Sequence, residues 1–369
     1  MRLLYRFTLL SLLCVNTLVA QEHLIKDDID GKVSEKENIK KPLLSDKLQY
    51  LKDDYHLNLI VSYMAIGQYD TISDQDGSGD RVDIVAHYTP TNVLSFGMKL
   101  EVQRAFGAYS SGQFSKAIGS LNKVSPSYAD LDPYLKELWA DYKFNDLDIR
   151  AGVINTNSFV DRSFYNNFAK FFLSHAYSSQ SYGHIPLSSL GIGVKYTKEE
   201  YYVNAVLSDA TEHLEDAIDD IRENEYSLYS TIEAGYTPDK NIYFINVWHR
   251  EEKSGDTSYG MYLSLNQYLN ETNKIYAKYG VNKNAAIKQH FSLGWSQDAL
   301  FSGNDLLLTG FSSSQAESTS DFQNSLEILY KYKFDYGIEL SGDLQIIKDP
   351  TTQQEDWVVM PSVRFRMIF

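Results

Sequence analysis

WVVMPSVRFRMIF, residues 357–369, carries two patterns at once. Counting back from the last residue, Phe369, Met367, Phe365, Val363, Pro361, Val359 and Trp357 share one parity and are apolar throughout. Ile368, Arg366, Arg364 and Ser362 occupy the other. Successive side chains of a β-strand point to opposite faces, so this segment has one apolar face and one face that carries two arginines. A half-buried strand of a soluble sandwich alternates in the same way, so one segment decides nothing and repetition must.

The pattern repeats back along the chain. Leu326, Ile328, Tyr330, Tyr332 and Phe334 oppose Glu327, Lys331 and Lys333. Tyr336, Ile338, Leu340, Leu344 and Ile346 oppose Glu339, Asp343 and Gln345. Ile275, Ala277, Tyr279 and Val281 oppose Lys274, Tyr276 and Lys278, while Leu190, Ile192, Val194 and Tyr196 oppose Gly191, Gly193 and Lys195. Val82, Ile84, Ala86 and Tyr88 oppose Arg81, Asp83 and His87. The apolar parity is aromatic near the segment ends, as a lipid-facing belt is. About sixteen such segments start near residues 55, 81, 93, 134, 147, 188, 201, 227, 241, 257, 272, 285, 304, 322, 335 and 355. An even number returns both ends to one side of a membrane. Tight turns at 89–92, 145–146, 198–199, 238–240, 270–271 and 334–335 alternate with mostly longer connections at 70–80, 105–133, 154–187, 209–226, 251–256 and 313–320. Short inner turns and long outer loops are the rule for membrane barrels. The connections 297–303 and 282–284 depart from it in length. The expected fold is therefore all-β: a membrane-spanning antiparallel β-barrel of about 16 strands, with an inward-folded loop after the fifth.

Composition narrows the function. The only long apolar run, 7–20, follows the basic start Met1–Arg6 and is too short to span a bilayer as a helix. It reads as a secretory leader over 1–20. Cys14, the single cysteine, lies inside it, so the exported chain has no thiol. Residues 21–50 are rich in Lys, Asp and Glu and read as a periplasmic extension, weakly helical or solvated. The barrel occupies 51–369. A formal net charge of -15 excludes nucleic acid as a partner, which needs a basic face. Tyr 28 and Phe 18 are high counts that suit interfacial girdles. The acidic run 212–225 reads as an outward surface loop.

Two stretches carry a family resemblance. LWADYKFNDLDIRAGVINTNSFVDRSFYNNFAKFFLSHAY, residues 138–177, has a strand, a tight turn, a strand with R-A-G, and a loop with an N-x-x-F-x-x-x-F-type helical piece. SLEILYKYKFDYGIELSGDLQIIKDPTTQQEDWVVMPSVRFRMIF, residues 325–369, ends in D-L-Q-x-I and R-x-R-x-x-F patterns. Both resemble the carbohydrate-selective (OprB-type) porins. Gly342–Asp343 stands where that family has Pro-Asp, and Val153 where it often has Lys. The resemblance implies an outer-membrane porin for mono- or oligosaccharides in a Gram-negative bacterium, with lipid and lipopolysaccharide around it. Phe369 resembles the terminal signal read by the barrel assembly machinery. A homo-oligomer is compatible with it, and no cofactor or metal is implied.

A pore this wide needs a constriction to be selective. The connection 154–187 is the candidate, because long loops in compact proteins usually have a function. Phe164, Tyr165, Phe168, Phe171 and Phe172 surround Asn166, Asn167 and Lys170 at helical spacing. That much aromatic surface is expected to fold against the wall rather than stay in water. Sugars need aromatic faces and planar donors or acceptors. The candidate path residues are Arg81, Trp139, Asp141, Arg150, Lys331, Asp343, Gln345, Arg364 and Arg366 on the wall, with Asp161, Arg162, Phe164, Tyr165 and Lys170 on the loop. Together they predict a cationic stripe facing an acidic loop. Singly, each charge also fits a simple role balancing its neighbour in the wall. Three alternatives stand beside the sugar pore: a general or ion-selective porin, a plugged structural or adhesive barrel, and a barrel enzyme. The last lacks support, because histidines 56, 87, 175, 184, 249 and 290 are scattered outside any triad or HExxH pattern.

Overall fold

The computed structural model describes residues 41–42, 44–126, 128–178, 180–186, 188–210, 227–251, 255–351 and 356–369. The expected leader, most of the 21–50 extension and the acidic run 212–225 lie outside the described residues. Sixteen strands form one closed antiparallel barrel. They are β1 Leu57–Asp70, β2 Gln75–Tyr88, β3 Leu94–Ala105, β4 Leu131–Phe144, β5 Leu147–Ile154, β6 Ser189–Lys198, β7 Tyr201–Asp209 and β8 Leu228–Tyr236. The second half contains β9 Ile242–Glu251, β10 Thr257–Tyr268, β11 Asn273–Lys283, β12 Ile287–Asp298, β13 Asp305–Ala316, β14 Phe322–Lys333, β15 Ile338–Lys348 and β16 Trp357–Ile368. Ser62 of β1 pairs with Ile368 and Gln68 with Ser362, which closes the cylinder. Closure satisfies every strand edge, a condition for backbone crossing hydrocarbon. No helix among the described residues is long and apolar enough to cross a membrane.

The two parities separate as expected. On β16, Val358, Met360, Ser362, Arg364 and Arg366 are buried inside, while Val363 on the alternate parity is 56% exposed. On β10, Tyr262, Ser264 and Asn266 face in, and Met261, Leu263 and Leu265 face out. The outer wall is an apolar surface presented to lipid.

Several boundaries differ from the sequence reading by a few residues, and three show a local cause. β2 begins at Gln75, six residues before the expected start. Its first residues, QDGSGD, have little strand propensity, yet they pair with the far half of β1, where Gln68 meets Gly77 and Tyr69 meets Asp76. The barrel begins at Leu57 rather than 51, because helix α1, Ser45–Tyr55, runs through that boundary. His56, at φ 54°, ends the helix in the left-handed region. β15 begins at Ile338, because Tyr336 and Gly337 both hold positive φ in the preceding turn. A short helix, α2 (Ser111–Ala117), interrupts the β3–β4 connection and has a capping box between Ser110 and Gln113.

Candidate permeation site

The segment joining β5 to β6 hydrogen-bonds to inward side chains of strands around the barrel. Asp161 N donates to Glu233 of β8 (2.6 Å), and Phe164 N donates to Asn266 of β10 (2.9 Å). Tyr165 Oη donates to Ser296 Oγ of β12 (2.6 Å). Glu327 of β14 accepts from Leu173 N (2.5 Å) and Ser174 N (3.2 Å). Lys331 Nζ donates to Lys170 O (2.8 Å). Arg364 Nη1 donates to Phe168 O (2.8 Å) and Phe171 O (2.9 Å). Each wall residue in this set lies on the buried, polar parity of its strand.

These contacts explain why the helical piece expected around Phe164–Phe172 is absent. That stretch is a run of turns between two short 3-10 helices, Thr156–Ser158 and His175–Tyr177. Buried backbone groups need partners. Here arginine, lysine, glutamate and asparagine side chains of the wall supply them, so the i to i−4 ladder is not needed.

The expected cationic stripe facing an acidic loop is not what the charges form. Arg364 and Lys331 bind loop carbonyls, and Arg366 pairs with Glu339 of the neighbouring strand (3.1 Å), with Lys331 3.9 Å from the same carboxylate. The acidic loop residue Asp161 pairs with Lys278 of β11, whose Nζ lies 2.7 Å from both carboxylate oxygens. Neither side chain has any exposed surface. Asp161 also holds φ at 61°, an uncommon conformation for a residue other than glycine. Lys278 was visible in the sequence only as one member of an alternating strand, and nothing there marked it as the partner.

Trp139, Asp141 and Arg150 do come together, on β4 and β5. The Arg150 guanidinium carbon sits 3.6 Å from the centre of the Trp139 ring, and its Nε is 3.3 Å from Asp141. Trp139 directly opposes Gly97 of β3, where any Cβ would collide with the indole. Arg81 pairs with Asp83 (3.0 Å) and lies over the Phe168 ring at 5.9 Å. Lys99, Glu101 and Lys136 continue the alternation of charge across β3 and β4. Gln345 donates to Asp343 (3.1 Å) and to Val124 O (2.8 Å). Arg162 is exposed and stacks over Tyr202 at 4.7 Å. Phe164 packs edge-on to Tyr268. The inward side chains left partly exposed include Trp139, Lys143, Asp148 and Lys195, all on β4 to β6. That arc joins an aromatic body to rigid or flexible donors, a combination suited to hydroxyl-rich solutes.

Residues 106–130, between β3 and β4, also enter the site, although the sequence does not mark them as site residues. Val124 O accepts from Gln68 of β1 (3.1 Å) and Gln345 of β15 (2.8 Å). Asn122 Nδ2 donates to Ser314 of β13 (2.8 Å), and Leu121 N to Gln323 of β14 (2.8 Å). Phe114, Ile118 and Val124 form a buried cluster with the inward Ile347, Val358 and Met360. The two segments also meet each other, through His175 N and Lys123 O (2.8 Å). His175 stacks on Phe168 at 4.8 Å, and burial pushes its imidazole down to about 3. One sequence signal pointed to these dockings. Glycine inside a strand marks close approach of another group. Gly193 receives Phe159, Gly294 and Gly310 receive Phe172 and Tyr177, and Gly77 and Gly79 receive Tyr128. Among the described residues, no group of three His, Cys, Asp or Glu side chains is placed to hold a metal ion.

No protein-family model matches the chain, and a search of curated proteins finds no match. Solved structures do match by shape. The chain is similar to the high-pH structure of OprB from Pseudomonas putida, with a TM-score of 0.73 at 12% identity, covering 91% of this chain and 100% of that one. The low-pH structure of the same protein gives 0.58 at 10% identity, over 88% and 96%. A loop-deletion mutant of OmpT, an outer membrane protein of Vibrio cholerae, gives 0.55 at 14% identity, over 85% and 99%. The chain therefore has the closed sixteen-strand barrel fold that porins use.

Proposed function

We propose that this chain is an outer-membrane porin of a Gram-negative bacterium, through which neutral mono- or oligosaccharides diffuse passively. One observation carries the reading. Within the barrel many of the charges are held in opposed neighbours, such as Arg150 with Asp141 and Arg366 with Glu339, or on backbone carbonyls, as for Arg364. A lining of balanced charge beside Trp139, Phe168 and Arg162 offers hydrogen bonds and apolar faces without a strong net field. That favours hydroxyl-rich neutral solutes over ions of either sign. The 155–188 segment, bonded to inward side chains of five or more strands, is the element that narrows the path. The leader 1–20 and periplasmic extension 21–50 belong to the same reading, as do lipopolysaccharide contact at the rim and Phe369 as the assembly signal.

Swelling of proteoliposomes in a graded set of neutral sugars and in charged solutes of matched size tests this. Monosaccharides are expected to enter faster than either charged set. Equal entry of all three, or preference for one charge, would replace the reading with a general or ion-selective porin. No entry by any solute, with a folded barrel, would leave a plugged structural barrel.

A further inference from the structure

A hollow of about 680 Å³ lies on the outer wall across β7 to β12, on the half nearer the tight inner turns. Its lining mixes the short outward side chains of Ala234 and Ala277 with the tall ones of Leu263, Leu265, Tyr279 and Phe291. The short ones form the floor and the tall ones the walls. The volume gives room for roughly twenty groups the size of a water molecule. A methylene is of that size, so one acyl chain fits.

The inner end of the hollow is built differently. Lys198, Tyr201, Tyr236 and Tyr243 are successive cross-strand partners on β6 to β9, in one outward row. The Tyr201 and Tyr236 rings stack at 4.9 Å, and Tyr236 and Tyr243 at 6.5 Å. Tyrosine on a membrane-facing wall stands at the level of lipid headgroups. The two turns below this row are tied together, because Thr237 N and Oγ1 both donate to Glu200 O (2.7 and 3.1 Å). The resulting ledge carries Lys198 and Lys240 beside Glu199, Glu200 and Asp239, all exposed.

An apolar groove with a few convergent polar groups at one end is the anatomy of a ligand site. The groove is continuous with the lipid-facing wall, so its occupant is a lipid. The ledge selects the headgroup. Two lysines suit a phosphate, while three carboxylates repel a headgroup that is only anionic. A primary ammonium answers the carboxylates with charge and with N–H donors, which a quaternary ammonium lacks. We propose that this hollow is a binding site for one phospholipid of the inner leaflet, with a headgroup that carries both a phosphate and a primary ammonium. An acyl chain packs between Ala234 and Phe291, the phosphate meets Lys198 and Lys240, and the ammonium meets Glu199, Glu200 and Asp239. The claim needs only the membrane barrel and not the identity of the solute.

The test is native mass spectrometry of the full chain, released from nanodiscs that hold equal parts of phosphatidylethanolamine, phosphatidylglycerol and phosphatidylcholine. One phosphatidylethanolamine is expected to stay on the wild type at collision energies that strip the rest. Ala234→Phe with Ala277→Phe fills the hollow from lipid-facing positions. That barrel should fold, as read by its mobility on unheated gels, and lose the retained lipid. Leu340→Phe, on the outward face of β15, should keep it. Glu199→Gln with Asp239→Asn removes charge without changing side-chain size and should shift the retained lipid to phosphatidylglycerol. No retained lipid, equal retention of all three, or a wild type that retains phosphatidylglycerol overturns the proposal. So does a lipid that survives the alanine substitutions, one that Leu340→Phe also removes, or a charge variant that still prefers phosphatidylethanolamine.

Discussion

Replacing Arg364 by methionine keeps the side-chain volume but removes the fork that holds two loop carbonyls. Its Nη1 bonds Phe168 O at 2.8 Å and Phe171 O at 2.9 Å, its Nη2 reaches Ser341 Oγ at 3.2 Å, and the side chain is 1% exposed. Hydrogen bonds from a charged donor contribute about 1.5–3 kcal/mol each, and carbonyls left buried without a partner add to the loss. Water entering the vacated space offsets roughly half of it. Undocking of the loop then becomes easier by about 3 kcal/mol, or on the order of a hundredfold in its equilibrium. Hydrogen exchange at the amides of Phe164, Leu173 and Ser174 reads this directly, since each donates to a wall side chain. Their protection should fall by that factor while the strand amides of β10 and β11 stay protected. Single-channel recordings should show added open-state noise. Unchanged loop protection in a folded Arg364→Met barrel would refute the argument that wall side chains, rather than the loop's own turns, hold this segment.

Gly310→Leu places carbon where Tyr177 and Phe172 now sit, 2.6 and 2.9 Å from a built Cβ. The barrel should still close, and conductance should rise as the loop is displaced; a conductance equal to wild type would contradict the socket. Trp139→Ala removes an aromatic face worth about 1 kcal/mol, so half-blocking sugar concentrations should rise roughly fivefold, measured from current noise. Acid should loosen the loop. His175 is neutral when docked, with its ionisation held down to about 3, while an undocked imidazole titrates near its ordinary value. Docking stability is therefore complete above that ordinary value and is lost progressively as pH falls toward 3. His175→Gln should flatten the acid-induced rise in exchange at Leu173 and Ser174, and an identical pH profile would show that the titrating group lies elsewhere.

The barrel was legible because its signal is local. A period of two repeats in every strand, and the apolar parity at Val363, Phe365 and Met367 needs no knowledge of neighbours. Strand starts were read to within a few residues except where composition hid them, as at Gln75–Asp80. The site was legible only as a set of types. Arg364, Lys331 and Tyr165 stand out by their chemistry, but their partners lie more than a hundred residues away, and no local period encodes that. For the same reason nothing in the sequence marks Lys278 as the partner of Asp161. Residues 106–130 are not legible as a site because Phe106, Tyr109, Phe114 and Tyr128 are spread among small and polar residues and resemble an ordinary surface loop. The inward glycines offered the remaining clue, since Gly193, Gly294 and Gly310 share the polar parity of their strands.

Current through single reconstituted barrels in a salt-bathed bilayer, with and without added monosaccharide, bears most directly on whether water and sugar share the inside of this cylinder. Discrete open steps that sugar reduces in a saturating manner are expected. Folded barrels that carry no current, or whose current no sugar alters, would contradict a sugar-conducting interior.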